Sequence, residues 1–243
     1  MKIKPSNKIF TWYYYVIIVV ILIVGSLATL YTYKSTAENT QKTLLKDVAS
    51  IAIAFEVEDI LSLRGDETDL SNPVYLSLKN KLAEIRAVNE EVRFVYFLGY
   101  RNEQVLFYAD SEPDTSEDYS PPGQIYDEAT DLDVEILKGL KNEGIEFNTD
   151  RWGSWLTSLV SIKHEGKVIA VLGMDMSAER YFRNLYTHMS IPIISTMFVL
   201  ILIFIGFLLR RREKEYLVLK EKLLRVATHD LRSPLTGISW LTE

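Results

Sequence analysis

"RFVYFLGYRNEQVLFYAD", Arg93 to Asp110, is the stretch that decides the fold. Two runs rich in β-branched and aromatic residues flank a turn at Arg101-Asn102-Glu103, so the chain doubles back as a β-hairpin. A second strand pair follows in "WGSWLTSLVSIK", the turn "HEGK" and "VIAVLGMDM". Between the pairs lies "SEPDTSEDYSPPGQIYDEA", acidic and broken by Pro113, Pro121, Pro122 and Gly123. A loop this long inside a compact domain is usually functional or disordered. "DLDVEILKGLKNEG" then predicts a short helix ending at Gly144. Upstream, Leu44, Leu45, Val48, Ile51, Ala52 and Phe55 keep helical spacing and continue toward Leu61 and Leu63, which predicts one long first helix. Ser71-Asn72-Pro73 reads as an N-cap with proline in the first turn, opening a second helix to about Asn89. No internal repeat or low-complexity segment is present. The order predicts an α+β domain, an antiparallel sheet with helices on one side.

Two uncharged apolar blocks bracket this domain, Trp12 to Leu30 and Ile191 to Leu209. A 19-residue helix rises about 28 Å, close to the roughly 30 Å hydrocarbon core of a bilayer. We expect transmembrane helices at 12–33 and 191–209, with an extracytoplasmic domain at 34–190 between them. Lys2, Lys4 and Lys8 precede the first block, and Arg210, Arg211 and Arg212 follow the second. The positive-inside rule puts both termini in the cytoplasm, the first as a short tail over 1–11. Ser35 to Met189 holds 15 Lys plus Arg against 28 Asp plus Glu, whereas the rest holds 12 against 5. The acidic part thereby avoids the anionic inner leaflet of the cell membrane, and membrane lipid becomes an expected partner. A cleaved signal peptide, with Ser26-Leu27-Ala28 as its cleavage site, is the rival reading of the first block. The length of that block and its aromatic cluster from Trp12 to Tyr15 count against it.

The chain has no cysteine, which excludes disulfides, thiolate metal sites and cysteine nucleophiles together. His164 in a turn and His188 near the second block show no paired-ligand spacing, so no metal site is expected. No nucleic-acid partner is expected either. For a small ligand, an apolar aromatic wall with a few orienting charges is the usual construction. Tyr108, Asp110, Tyr119, Tyr126, Arg151, Trp152, Trp155 and Asp175 are the candidates by type and by position near strand ends. Asp110 and Asp175 suit an ammonium, and Arg151 suits a carboxylate. Each has a structural alternative: the aromatics as core, the acids as caps, and Arg151 with Asp150 as a surface pair.

The run "YFLGYRNEQVLFYADSEPDTSEDYSPPGQIYDE", with "NTDRWGSWLTSLVSIKHEGKVIAVLGMDMSAERY", resembles a Cache (PAS-like, PDC) extracellular sensor domain over about 140 residues. The resemblance implies a long first helix, a central antiparallel sheet and a small-molecule pocket on one sheet face. It does not imply which ligand.

Beyond the arginine triplet, Leu217, Leu224, Leu231 and Ile238 recur every seven residues, with Ala227 and Leu241 on neighbouring d positions. This is a coiled-coil-like seam, weakened at Lys220 and Pro234, and it predicts a parallel homodimer. Residues 210–224 read as a signalling helix. His229 lies about 200° around the helix from Leu231, away from the seam. Its neutral imidazole carries a lone pair free to attack, Asp230 can hold the proton on the other ring nitrogen, and Pro234 bends the helix beyond.

"HDLRSPLTGI" resembles the H-box of the sensor histidine kinases. That resemblance implies that His229 accepts the γ-phosphoryl group of ATP, that Asp230 is the general base, and that Arg232, Ser233 and Pro234 shape the site. Ser233 stands where Thr or Asn is usual, which leaves phosphatase activity open. Residues 225–243 read as the truncated start of a HisKA phosphoacceptor domain, with no HAMP module before it. A catalytic domain binding ATP and Mg²⁺ is expected outside this chain, and a cytoplasmic response regulator is the expected phosphoryl acceptor. The competing functional reading is a chemoreceptor-like or stand-alone membrane sensor that docks a cytoplasmic partner without phosphorylation. A third is a membrane protein with an inert external domain.

Overall fold

The computed structural model describes the backbone of residues 7–239 and the side chains of residues 12–227. Its order is α1 (Asn7–Ala52), α2 (Val57–Leu61), a 3-10 turn (Glu67–Ser71), α3 (Pro73–Val88), β1 (Val92–Arg101), β2 (Gln104–Asp110), α4 (Asp131–Leu137), β3 (Glu143–Asp150), β4 (Gly153–His164), β5 (Lys167–Ser177) and α5 (Ala178–Ser239). Two compact units result. One is Tyr31–Met189, and the other joins the residues up to Leu30 with those from Ser190 onward.

In the first unit the strands form one antiparallel sheet in the order β2-β1-β5-β4-β3. Both sequence-predicted hairpins are present, joined by two-residue turns. Asn102 and Glu103 take φ of 51° and 63°, and Glu165 and Gly166 take 49° and 80°. Left-handed residues at both turn positions match the right-handed twist of the flanking strands. The fifth strand is a correction. β3 occupies Glu143–Asp150, where the predicted helix was to end, and that helix stops at Leu137. Gly139, at φ 76°, marks the end of the helical segment.

Strand alternation divides the core. Val95, Phe97, Ala170, Leu172 and Met174 face one way and pack beneath Val48, Ala52, Ile60, Tyr75, Leu78 and Leu82 of α1, α2 and α3, together with Phe55 between α1 and α2. The rings of Phe55 and Phe97 meet edge to face at 4.9 Å. The first helix is not continuous to Leu63: it ends at Ala52, and α2 restarts at Val57. Helix α3 begins where the capping residue predicts. The Asn72 side chain accepts from the Val74 amide at 3.0 Å, a cap worth about 1 kcal/mol.

On the opposite face Phe94, Tyr96, Leu98, Phe107, Leu159 and Val171 pack against Ile136 and Leu137 of α4. Helices therefore cover both faces, not one. Helix α4 is held by a capping box in which Thr130 and Asp133 satisfy each other's backbone amides. A third cluster, Leu44, Leu156, Met176, Tyr181 and Leu185, ties α1 and the start of α5 to the sheet.

The second unit contains the apolar stretches of α1 and α5. Both helices are long and apolar enough to cross a membrane, with hydropathies of 2.4 and 2.7 in their most apolar windows. They pack antiparallel. Tyr14 meets Phe207 with ring centroids 5.4 Å apart, and Gly25 lies against Thr196 with no room for a β-carbon. Leu27, Leu30, Ile194, Phe198 and Leu209 are exposed, an arrangement that suits hydrocarbon and not water. Leu217 and Leu224 of the predicted seam are exposed on α5, while Leu231, Ile238 and Leu241 lie outside the residues whose side chains are described.

Candidate small-molecule cavity

Above the α4 face of the sheet lies a small, partly open cleft of about 20 Å³. Strand β1 contributes Phe94 and Tyr96, and β2 contributes Phe107 and, at its end, Asp110. The long acidic segment supplies Asp118, Ser120 and Tyr126. Asp150 comes from the end of β3, Trp152 from the β3–β4 turn, and Asp175 from β5. That volume holds about one water-sized group, whereas the aromatic wall with a few convergent polar groups is the usual chemistry of small-molecule sites.

Asp175 sits here because β5 alternates: Met174 and Met176 face the helices, so Asp175 faces the cleft. It pairs across to Phe94, and the Tyr96 hydroxyl donates to its Oδ1 at 3.1 Å. Gly173 permits this contact. A β-carbon there would collide with the Tyr96 ring, which lies across the strand. Burial pushes the Asp175 carboxyl up to about 8, against the opposing pull of hydrogen bonds from Thr157 and Tyr96, and the nearby Asp150 and Asp133 push it further up.

Asp150 collects four donors. Its Oδ1 accepts from the amides of Trp152 and Gly153, at 2.9 and 3.1 Å, and from Trp155 Nε1 at 2.9 Å. Its Oδ2 accepts from the Tyr126 hydroxyl at 3.1 Å, and Asn148 in turn donates to that hydroxyl. Burial and the neighbouring acids hold the Tyr126 phenol protonated, well above its ordinary range.

Asp110 accepts from the Ser120 amide at 2.9 Å and the Glu112 amide at 3.2 Å. Burial raises it to about 6, and the Ser120 amide, Lys79 and Arg86 restrain the rise. Burial likewise raises Asp133, behind the cleft in α4, to about 6.

Of the eight sequence-predicted candidates, four line the cleft together: Asp110, Tyr126, Trp152 and Asp175. Trp155 stands behind the wall, edge-on to Phe94 at 4.9 Å. Tyr108 belongs to the helix-facing core, its ring lying over Gly65 and Gly99. Tyr119 bonds to the Tyr75 hydroxyl at 3.0 Å beneath Lys79. Arg151 turns outward, its Nε donating to Glu128 at 2.8 and 3.0 Å. Phe94, Tyr96, Phe107, Asp118, Ser120 and Asp150 line the cleft although type and position did not single them out.

Among the described residues, no Lys, Arg or His lines the cleft. Among the described residues no group of His, Asp and Glu is arranged to hold a metal ion. His229, Asp230, Ser233 and Pro234 lie on α5 but outside the residues whose side chains are described.

No protein-family model matches this chain, and no curated protein matches it. Among solved structures it is similar to the ligand-binding domain of the Campylobacter jejuni chemoreceptor Tlp3 in complex with 4-methylisoleucine. The two share 20% identity over 69% of this chain and 62% of that one, with a TM-score of 0.49. The same domain in complex with L-valine gives 19% identity, 76% and 68% coverage and a TM-score of 0.38. A type II free methionine-R-sulfoxide reductase from Thermoplasma acidophilum gives 13%, 49% and 90%, and 0.29. The chain thus spans 62% of the length of the first of these.

Proposed function

We propose that this chain is the input portion of a membrane-bound sensor histidine kinase. Residues 34–190 form the extracytoplasmic sensor, and the helices at 12–33 and 191–209 anchor it with both termini in the cytoplasm. A small molecule in the cleft biases a homodimer between two arrangements, by as much as its affinity for them differs. His229 is the phosphoacceptor. Its ring nitrogen attacks the γ-phosphorus of ATP, the bond to ADP breaks, and Asp230 takes the proton from the other nitrogen. Ser233 and Pro234 shape that turn. ATP and Mg²⁺ are held by a catalytic domain outside this chain, and the phosphoryl group passes on to a response regulator.

One observation carries this reading. β5, which places Asp175 in the cleft, runs without a linker into α5, the helix that carries "HDLRSPL". The test supplies the chain in lipid nanodiscs with a separate kinase catalytic domain and γ-labelled ATP. Acid-labile, base-stable label is expected on the chain and is lost in His229→Gln. Absence of label, or label undiminished in the variant, refutes the reading.

A further inference from the structure

A second cavity in the same unit is far roomier. Between α1, the α3–β1 turn and the first turns of α5 lies a groove of about 550 Å³, against about 20 Å³ for the cleft. It falls within the roughly 300–1,000 Å³ of small-molecule sites. Helical spacing builds one wall. Thr36, Thr40, Thr43 and Asp47 follow at steps of four, three and four residues, along one face of α1. Asn184 and His188, one turn apart, line it from α5. The α3–β1 turn adds Asn89, Glu90 and Glu91, and Leu44, Val92 and Met176 supply an apolar floor. Among the described residues the side chains of Thr36, Thr40, Thr43 and Asn184 hold no hydrogen bond, and no ion pair reaches Asp47, Glu90 or Glu91. Asn39 makes only a 3.4 Å bond to Ser35, and Asn89 spends one N–H on the Ile85 carbonyl at 2.7 Å. Among the described residues no Lys, Arg, Phe, Tyr or Trp lines the groove.

We propose that this groove binds a neutral polyhydroxylated molecule, a sugar or sugar alcohol, held between α1 and α5. The inference goes beyond the kinase reading and does not depend on it. A ligand hydroxyl both donates and accepts, and so does this wall. Threonine hydroxyls do both, asparagine side chains offer N–H donors beside a carbonyl acceptor, and the three carboxylates accept. The floor of Leu44, Val92 and Met176 suits the C–H face of the same molecule. An anion would meet three carboxylates with no lysine or arginine to receive it. A simple ammonium would gain little. Asp47, Glu90 and Glu91 are exposed, where water and salt screen an ion pair, no ring offers a π face, and the Thr and Asn groups would stay unused. Each new hydrogen bond replaces one to water, so the net gain per bond is modest and the affinity is millimolar. The occupant bridges α1 and α5, each of which continues unbroken into an apolar stretch long enough to cross a membrane.

The test uses the full chain in nanodiscs and saturation-transfer NMR, which reads weak binding. The neutral probes are glucose, galactose, mannose, sorbitol and myo-inositol. Glucosamine and glucuronate place a charge of either sign on the glucose ring. At least one neutral probe is expected to saturate with a Kd between about 0.1 and 10 mM, and glucuronate to bind at least about tenfold more weakly than the tightest of them. The double variant Thr40→Val with Asn184→Leu removes two unpartnered polar groups from half-buried positions. Its fold is checked by its thermal transition, and it should lose at least about fivefold in affinity. A nitroxide on Thr43→Cys should broaden the bound probe's signals, whereas one on Glu103→Cys, at the far end of β1 from Val92, should not. Binding of none of the five neutral probes at about 20 mM overturns the proposal. So does affinity undiminished in the double variant, broadening from Glu103 but not Thr43, glucuronate binding as tightly as the best neutral probe, or glucosamine binding about tenfold more tightly than it. Labelling of His229 does not involve this groove, so failure here leaves the kinase reading standing.

Discussion

Asp175→Asn should make the protein more stable at neutral pH and leave it nearly unchanged in acid. In the folded chain the carboxyl titrates at about 8, and on unfolding it returns to the ordinary aspartate value near 3.9. An acid raised by folding contributes stability that is complete below the unfolded value and is lost as pH climbs toward the folded one. Between pH 4 and pH 7 the wild type therefore loses about three units' worth, on the order of 4 kcal/mol at 1.36 kcal/mol per unit. The amide of D175N never ionises, so it escapes this loss. Its oxygen can still accept from the Tyr96 hydroxyl, and its volume is that of the acid. For a unit of this size each kcal/mol moves the midpoint by about 2–4 °C, so a gain of about 8–16 °C is expected at pH 7 and close to none at pH 4. Circular-dichroism melting of the full chain in nanodiscs at both pH values measures it. A shift equal at the two pH values, or destabilisation at pH 7, refutes the argument that a buried, uncompensated acid sits at this position.

Other consequences are equally open to measurement. Phe97→Ala, which deletes a fully buried ring packed edge to face with Phe55, should cost about 3–5 kcal/mol in denaturant unfolding. Glu112→Ala leaves the guanidinium groups of Arg86 and Arg93 without their shared buried carboxylate. It should cost about 2–3 kcal/mol, below the fully buried case because Arg93 is 41% exposed, and should speed proteolysis between Ser111 and Thr130. Gly25→Leu should part the two apolar helices, read as a severalfold fall in oxidative cross-linking between cysteines introduced by Tyr14→Cys and Phe207→Cys. The chain's lack of native cysteine makes that assay unambiguous.

Four strands were legible because their sequences alternate or run aromatic and their turns carry polar punctuation. β3 was not. "EGIEFNTD" offers only Ile145 and Phe147 as apolar residues, as an edge strand can, and its pairing with β4 overrides a weak local preference. The break after Ala52 was hidden for the opposite reason. Phe55 and Ile60 enter the same core as Val48, so the apolar spacing carries on across a chain that has changed direction. At the cleft, residue type found the acids that end or interrupt strands, Asp110 and Asp175. It could not find Phe94 and Tyr96, whose role depends on which face of β1 looks away from the helices, a matter of register between distant strands. Asp150 had a local signal that went unused. "DRWG" is an Asp-led turn, where the side chain caps the next backbone amides, as it does here. Arg151 misled because a neighbour in sequence, Asp150, is not its partner in space.

Gly173 contributes no functional group to the cleft, yet it governs the reactivity of the group beside it. One methyl on that α-carbon would lift the phenol ring off the strand, withdraw the hydroxyl from the buried aspartate and retune the acid. The setting of this cleft's proton balance is thus written in a hydrogen atom, at a position where substitution would change neither charge nor polarity.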